Sequence, residues 1–179
     1  MKKEILANIK DGEIFSISGV EFIKFFDKDG TTTAVAKDSL GDYRFGNNNN
    51  FAESGIKEML EKDFLLKIEK EIGVENIVEH EVDLLSLDGS DKWSKVNCKV
   101  SLPTFDFYRT NVKVFDKHKL NDWWWTCTPD STSEHYNDNW LVCVSPSGGV
   151  NFSIYCGGSG SGVRPFLTFV SSISISCEE

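Results

Sequence analysis

Positive charge is almost missing from the last third of this 179-residue sequence, where residues 121–179 hold Arg164 against Asp122, Asp130, Glu134, Asp138, Glu178 and Glu179. Over the whole chain 19 Lys and Arg face 28 Asp and Glu, a formal charge of −9. That sign excludes gripping phosphates over a broad basic face, so no direct nucleic-acid binding through a basic patch is expected. A run of about 18 apolar residues is also missing, which excludes a membrane-spanning helix. The opening MKKEILANIKDGEIF breaks its apolar character at Asp11, Gly12 and Glu13, and no secretory signal is expected from it. The five cysteines, Cys98, Cys127, Cys143, Cys156 and Cys177, form no CxxC pair and are odd in number, which argues against a closed disulfide set. They are expected as reduced thiols, with Cys127, Cys143 and Cys156 packed as small core residues among apolar neighbours. The expected location is the cytoplasm of the producing cell, which includes a protein assembled there into a virion.

Catalytic patterns are equally sparse. His80, His118 and His135 sit in unlike segments with no HExxH or other metal spacing, and there is no GxSxG elbow. The glycine-rich GGSGSG at 157–162 has neither the spacing nor the lysine of a phosphate loop and reads as a turn between two strands. The oxygen-rich stretch DSTSEHYNDNW, 130–140, is of the kind that binds calcium, but it lacks the Glu-Pro-Asn and Trp-Asn-Asp patterns of calcium-dependent lectins and is expected as a solvated loop. No catalytic residue, metal or cofactor is assigned.

What is present is ordinary globular composition, 40% hydrophobic and 26% charged, in a chain of 20.2 kDa. A chain of this size buries roughly 70% of the surface it exposes unfolded. One domain over 1–179 is expected, with a strand and helix part at 1–120 and a part rich in Trp, Gly and Ser at 121–179. The segment EIFSISGVEFIKFFDKDGTTTAVAKD reads as a meander broken at Ser18-Gly19 and Asp29-Gly30. After the polar loop GNNNN, the apolar residues Ile56, Met59, Leu60, Phe64, Ile68 and Ile72 recur at helical steps. They predict one long helix over about 54–72, with Ser54 as N-cap and Gly73 past its end. VEHEVDLLSLDG reads as a strand, and LPTFDFYRT as a short helix over about 104–110 entered at Thr104, with Asp106 in its first turn. WWWTCT, NWLVCVS, VNFSIYC and VRPFLTF are four further strand candidates. The fold class is therefore α+β with mainly antiparallel sheet.

Four segments of the C-terminal third, WWWTCTP, NWLVCVS, SPSGGVNFSIY and GSGVRPFLTF, follow one another in that order, preceded by FGNNNNFAESGIKEMLEKDFL and SLPTFDFYR. With them the chain resembles, over most of residues 10–175, a domain family of unknown function frequent in phages, prophages and the bacteria that carry them. In that family an aromatic segment, a strand, a glycine-containing turn and a strand lead to a closing GVRP. The resemblance implies a C-type-lectin-like fold, related to that of formylglycine-generating enzymes, whose C-terminal loops carry binding. It implies a thiol enzyme only through a cysteine pair that no motif places on Cys127, Cys143 or Cys156.

The candidate contact surface is accordingly the loops at 129–139 and 156–162, with Glu134, His135, Tyr136, Asn137, Asp138, Ser159 and Ser161 as its residues, a mixture typical of evolved binding surfaces. Trp123, Trp124 and Trp125 alternate across a strand and are expected mainly to pack. Arg164, fixed before Pro165, is expected to pair with an acid or a backbone carbonyl. The expected function is a non-catalytic module of phage or mobile-element origin binding a protein or glycan ligand. A second expectation is an acidic intracellular counter-defence protein of anti-CRISPR type, meeting a host nuclease complex through Glu58, Glu61, Asp63 and Glu69. A third is a thiol enzyme of the formylglycine-generating type. The sequence assigns no oligomeric state.

Overall fold

In the computed structural model, which describes residues 2–158 and 160–177, the meander forms where the turn residues call for it. Strands β1 (Lys2–Ile5), β2 (Ile14–Ile17), β3 (Val20–Lys28) and β4 (Thr31–Ala36) lead the chain. Ser18 and Gly19 both take positive φ between Ile17 and Val20, as do Asp29 and Gly30 between Lys28 and Thr31. Such two-residue left-handed turns match the twist of paired strands. The short β5 (Asp42–Tyr43) follows.

The helical segment starts at Ser54, whose hydroxyl accepts from the Lys57 N–H at 3.0 Å. It runs through α1 (Gly55–Met59), a π-helical turn (Leu60–Phe64) and α2 (Leu65–Ile72), and stops at Gly73, φ 89°. Ile56, Leu60, Phe64 and Ile68 are all buried, each four residues after the last. A regular helix would carry that spacing gradually off one face. The wider π turn takes up the extra rotation and keeps all four against the core.

Strands β6 (Ile77–Val78), β7 (His80–Asp83), β8 (Lys95–Cys98) and β9 (Val100–Ser101) come next. The expected strand VEHEVDLLSLDG therefore ends at Asp83, and its LLSLDG part is a loop: the Asp83 carboxylate accepts from the Leu85 N–H, and the chain turns at Gly89, φ 83°. The short helix is found as α3 (Phe105–Thr110), capped by Thr104, and the sequence reading missed the single turn α4 (Val112–Phe115) that continues it. Then follow β10 (Trp124–Pro129), β11 (Trp140–Val144), β12 (Val150–Tyr155), β13 (Ser161–Gly162), β14 (Phe166–Val170) and β15 (Ser174–Cys177).

Eight strands form one sheet in the order β1-β15-β2-β3-β4-β14-β6, with β9 also on β14. Five form a second sheet, β12-β11-β10-β13-β5, and β7 and β8 pair by themselves. Among the described residues every pairing is antiparallel except β10 with β13, so the α+β, mainly antiparallel class holds. Neighbouring residues of the same strands feed two cores. Phe22, Ala34, Ala36 and Trp125 join the large one under the long helix, while Ile23, Val35 and Trp124 join Tyr108 and Phe115 of α3 and α4 in a second. The triple tryptophan thus packs on both faces of β10, and Trp123 packs partly against the large core. Among the described residues no helix is long and apolar enough to cross a membrane.

Candidate functional site

β10 ends where β11 begins, Pro129 opposite Leu141, and Trp140 stands opposite Tyr155 at the end of β12. The chain segments 130–139 and 156–158 therefore leave the five-stranded sheet from the same end. Beside the first lies the 84–94 loop, tied on by the Leu87 N–H to the Pro129 carbonyl at 3.0 Å and by Ser90 Oγ to Thr132 Oγ1 at 2.7 Å.

Two polar residues hold this end together. Asn49, from the GNNNN loop, is fully buried, and all its polar side-chain atoms are used. Its Nδ2 donates to the carbonyls of Ser131 and Trp140, both at 2.8 Å, and its Oδ1 accepts from Trp93 Nε1 at 2.9 Å. Its backbone N–H donates to the Asp138 carbonyl at 2.7 Å. A buried amide so satisfied fixes its neighbours in one geometry.

Asp88 is the second. Its carboxylate accepts from Ser86 Oγ, from Ser131 Oγ at 2.6 Å and from the Ser90 N–H at 3.1 Å, and it lies 3.0 Å from His135 Nδ1. Partial burial opposes the charge, but these hydrogen bonds, Ser131 and Ser86 foremost, hold the carboxyl far below the usual carboxylate range. The neighbouring Asp130 is pushed up instead, by burial and then by the charge of Asp88.

Over this network opens a groove of about 400 Å³ lined by Leu87, Asp88, Asp130, Ser131, Tyr136 and Phe152. Tyr136 is 71% exposed and Phe152 55%. With the exposed Leu87 they form a cluster, and it is the clustering of exposed apolar side chains that marks contact sites.

Of the residues expected at the contact surface, Tyr136 lines the groove, His135 braces Asp88 and Glu134 lies 3.5 Å from Ser90 Oγ. Asn137 accepts the Asn139 N–H through Oδ1, and Asp138 serves through its backbone. Ser161 is a correction. It is buried in β13 opposite Tyr43, and its side chain bonds the Cys143 thiol, because the glycine-rich segment turns inward to pair with β10 and β5. Ser159 lies outside the described residues. Asn49, Asp88, Leu87 and Phe152 escaped the sequence reading, and the only local hint was the turn dipeptide Asp88-Gly89.

At the other end of the sheet Arg164 is 1% exposed. Its Nε donates to the Ala36 carbonyl at 3.0 Å, as expected of a carbonyl-binding arginine, and its guanidinium lies 5.3 Å from the Phe115 ring centre and 5.2 Å from that of Trp124. Nη2 is buried without a hydrogen-bond partner among the described residues. Burial pulls this arginine down to about 10. The buried Pro165 beside it accepts the Ala36 N–H, which places the arginine against β4.

His80 Nε2 lies 2.9 Å from Ser101 Oγ on a pocket of about 160 Å³. The serine is almost completely buried and its hydroxyl also donates to the Leu102 carbonyl, a core arrangement. Burial lowers His80 to about 4. The thiols of Cys98, Cys127, Cys143 and Cys156 are free and buried, and burial pushes each of them up, Cys98 to about 11, away from the thiolate form that thiol catalysis uses. Among the described residues no group of three His, Cys, Asp or Glu side chains gathers to hold a metal.

Comparison with protein-family models, with curated proteins and with solved structures returns no match to this chain.

Proposed function

We propose that this chain is a non-catalytic binding module that takes a protein or glycan ligand on the groove between Leu87, Tyr136 and Phe152. The observation that carries this reading is the pairing of exposed aromatic side chains with a network beneath them whose hydrogen bonds are internal, so that the contact residues are presented in one fixed arrangement. A phage or mobile-element origin and a C-type-lectin-like fold belong to the same proposal and rest on WWWTCTP and GVRP. The inhibitor alternative has less support from the helix face, where Glu58, Glu61 and Glu69 are paired with Lys62, Lys57 and Lys99, and rests on Asp63 and the net charge of −9.

The test is capture from host lysate, split into cytosolic and envelope fractions, with the native protein and with Tyr136→Ala/Phe152→Ala. The double variant is expected to lose a specific captured species while keeping the native circular dichroism spectrum. Equal capture by both proteins sinks the assignment of the groove.

A further inference from the structure

Among the described residues the sheet edges are guarded by charge or shortness, with one exception. β1 reads KKEI, β7 reads HEVD and β8 carries Lys95, so each places charge on its edge, while β5, β6 and β9 are only two residues long. Charge and shortness are the ordinary means by which natural sheets prevent strand addition. β12 has neither. It is six residues, VNFSIY, at the outer edge of the five-stranded sheet, without a charged residue or a proline. It lies within residues 139–163, which contain no Asp, Glu, Lys, Arg or His. Yet Phe152 of this strand also lines the groove, opposite Leu87 and Tyr136, where Asp88 and Asp130 supply two carboxylates and no lysine or arginine lines the wall.

From this juxtaposition we infer that the partner is an extended basic peptide segment, which adds to β12 as a sixth strand and places a Lys or Arg side chain in the groove. The inference rests on the binding reading above and gives it a ligand class. The Tyr155 carbonyl at the end of β12 is taken by the Gly158 N–H at 3.0 Å, so the incoming strand pairs with outward backbone groups before it, the general mode of strand addition, and its alternate side chains reach the groove. The aliphatic stem of a Lys or Arg packs on Tyr136 and Phe152. Its cation relieves the repulsion between Asp88 and Asp130, which adds to burial in raising Asp130. A glycan would use the aromatic faces and carboxylates but leave the edge of β12 open. A second copy of this chain, at −9, would bring like charge to the same rim.

The experiment is selection of displayed random nonapeptides on the purified full chain, followed by titration of the most enriched sequence as a synthetic peptide. Enriched sequences are expected to alternate Lys or Arg with apolar or β-branched residues. Asp130→Asn and Phe152→Ala should each weaken the synthetic peptide about tenfold, and Phe152→Lys should weaken it further. N-methylation at one alternating set of peptide positions should abolish binding, while the interleaved set is tolerated. The inference is overturned if no basic sequence is enriched, or if binding survives N-methylation at every position. Should lysate capture depend on Tyr136 and Phe152 while no basic strand is selected, the binding reading stands and strand addition falls. If neither depends on them, both fall.

Discussion

The two ends of the five-stranded sheet hold their polar groups in opposite ways. At the loop end, Asn49 and Asp88 are surrounded by donors and acceptors that satisfy them, drawn from the 84–94 and 130–139 loops. At the hairpin end, among the described residues, Arg164 makes one backbone hydrogen bond, leaves Nη2 unpaired and rests between aromatic rings. A satisfied network fixes direction, because each hydrogen bond constrains an angle as well as a distance. An aromatic box fixes only volume and charge. The difference explains why the exposed aromatic groove is built over the first end and not over the second.

The sharpest way to break this contrast is Asn49→Ala. It strips partners from Trp93 Nε1 and from the Ser131 carbonyl, and leaves the Trp140 carbonyl only the Asp130 N–H; a loss of about 3 kcal/mol is expected in urea unfolding, together with a change in tryptophan fluorescence. Arg164 should respond to shape rather than to polarity. Arg164→Ala opens a cavity among the rings and is expected to cost about 3 kcal/mol. Arg164→Met fills the same space without a buried charge and should fall within about 1 kcal/mol of the native protein. If the Met variant is as poor as the Ala variant, the guanidinium makes polar contacts as important as those of Asn49, and the contrast fails.

Asp88 offers a subtler test. Its folded carboxyl titrates below its unfolded value, so its contribution is present above about pH 4 and is lost as the pH falls through the folded value. Asp88→Asn should lower stability at pH 7 by about 1 kcal/mol and flatten this part of the acid limb, as read from urea midpoints between pH 2 and 7. The smallest expected effect is that of Tyr136→Ala, under about 0.5 kcal/mol, since the ring is mostly exposed. A much larger loss in that variant would make the ring part of the fold and not of a contact surface.

Much of the fold could be read from local pattern. Ser54 and Gly73 bracket the long helix, and the turns at Ser18-Gly19 and Asp29-Gly30 set the meander. Thr104 marks the short helix, because caps and turns are decided by residues within four positions of one another. The π turn at 60–64 was not legible, since a regular repeat of four looks helical whether or not the helix widens to keep it on one face. The site was legible only in part. Tyr136 and His135 fall where the loop was expected, but Asn49 meets its partners 44, 82 and 91 residues away, and Asp88 meets Ser131 across 43. No local pattern announces such a meeting. Ser161 misled for the opposite reason: glycine and serine look solvated in sequence, but here their small size lets a strand pass between β10 and β5.

The pairing of β1 with β15 has a mechanical meaning. Lys2 stands opposite Cys177 and Ile5 opposite Ser174, so the two strands run antiparallel and point their outer ends the same way. Tension between attachments at the two ends therefore opens this ladder like a zipper, one rung at a time, instead of shearing all its rungs together. The groove belongs to the other sheet, and a load carried through the ends would peel β1 from β15 before it reached the strands that hold Tyr136 and Phe152 in place.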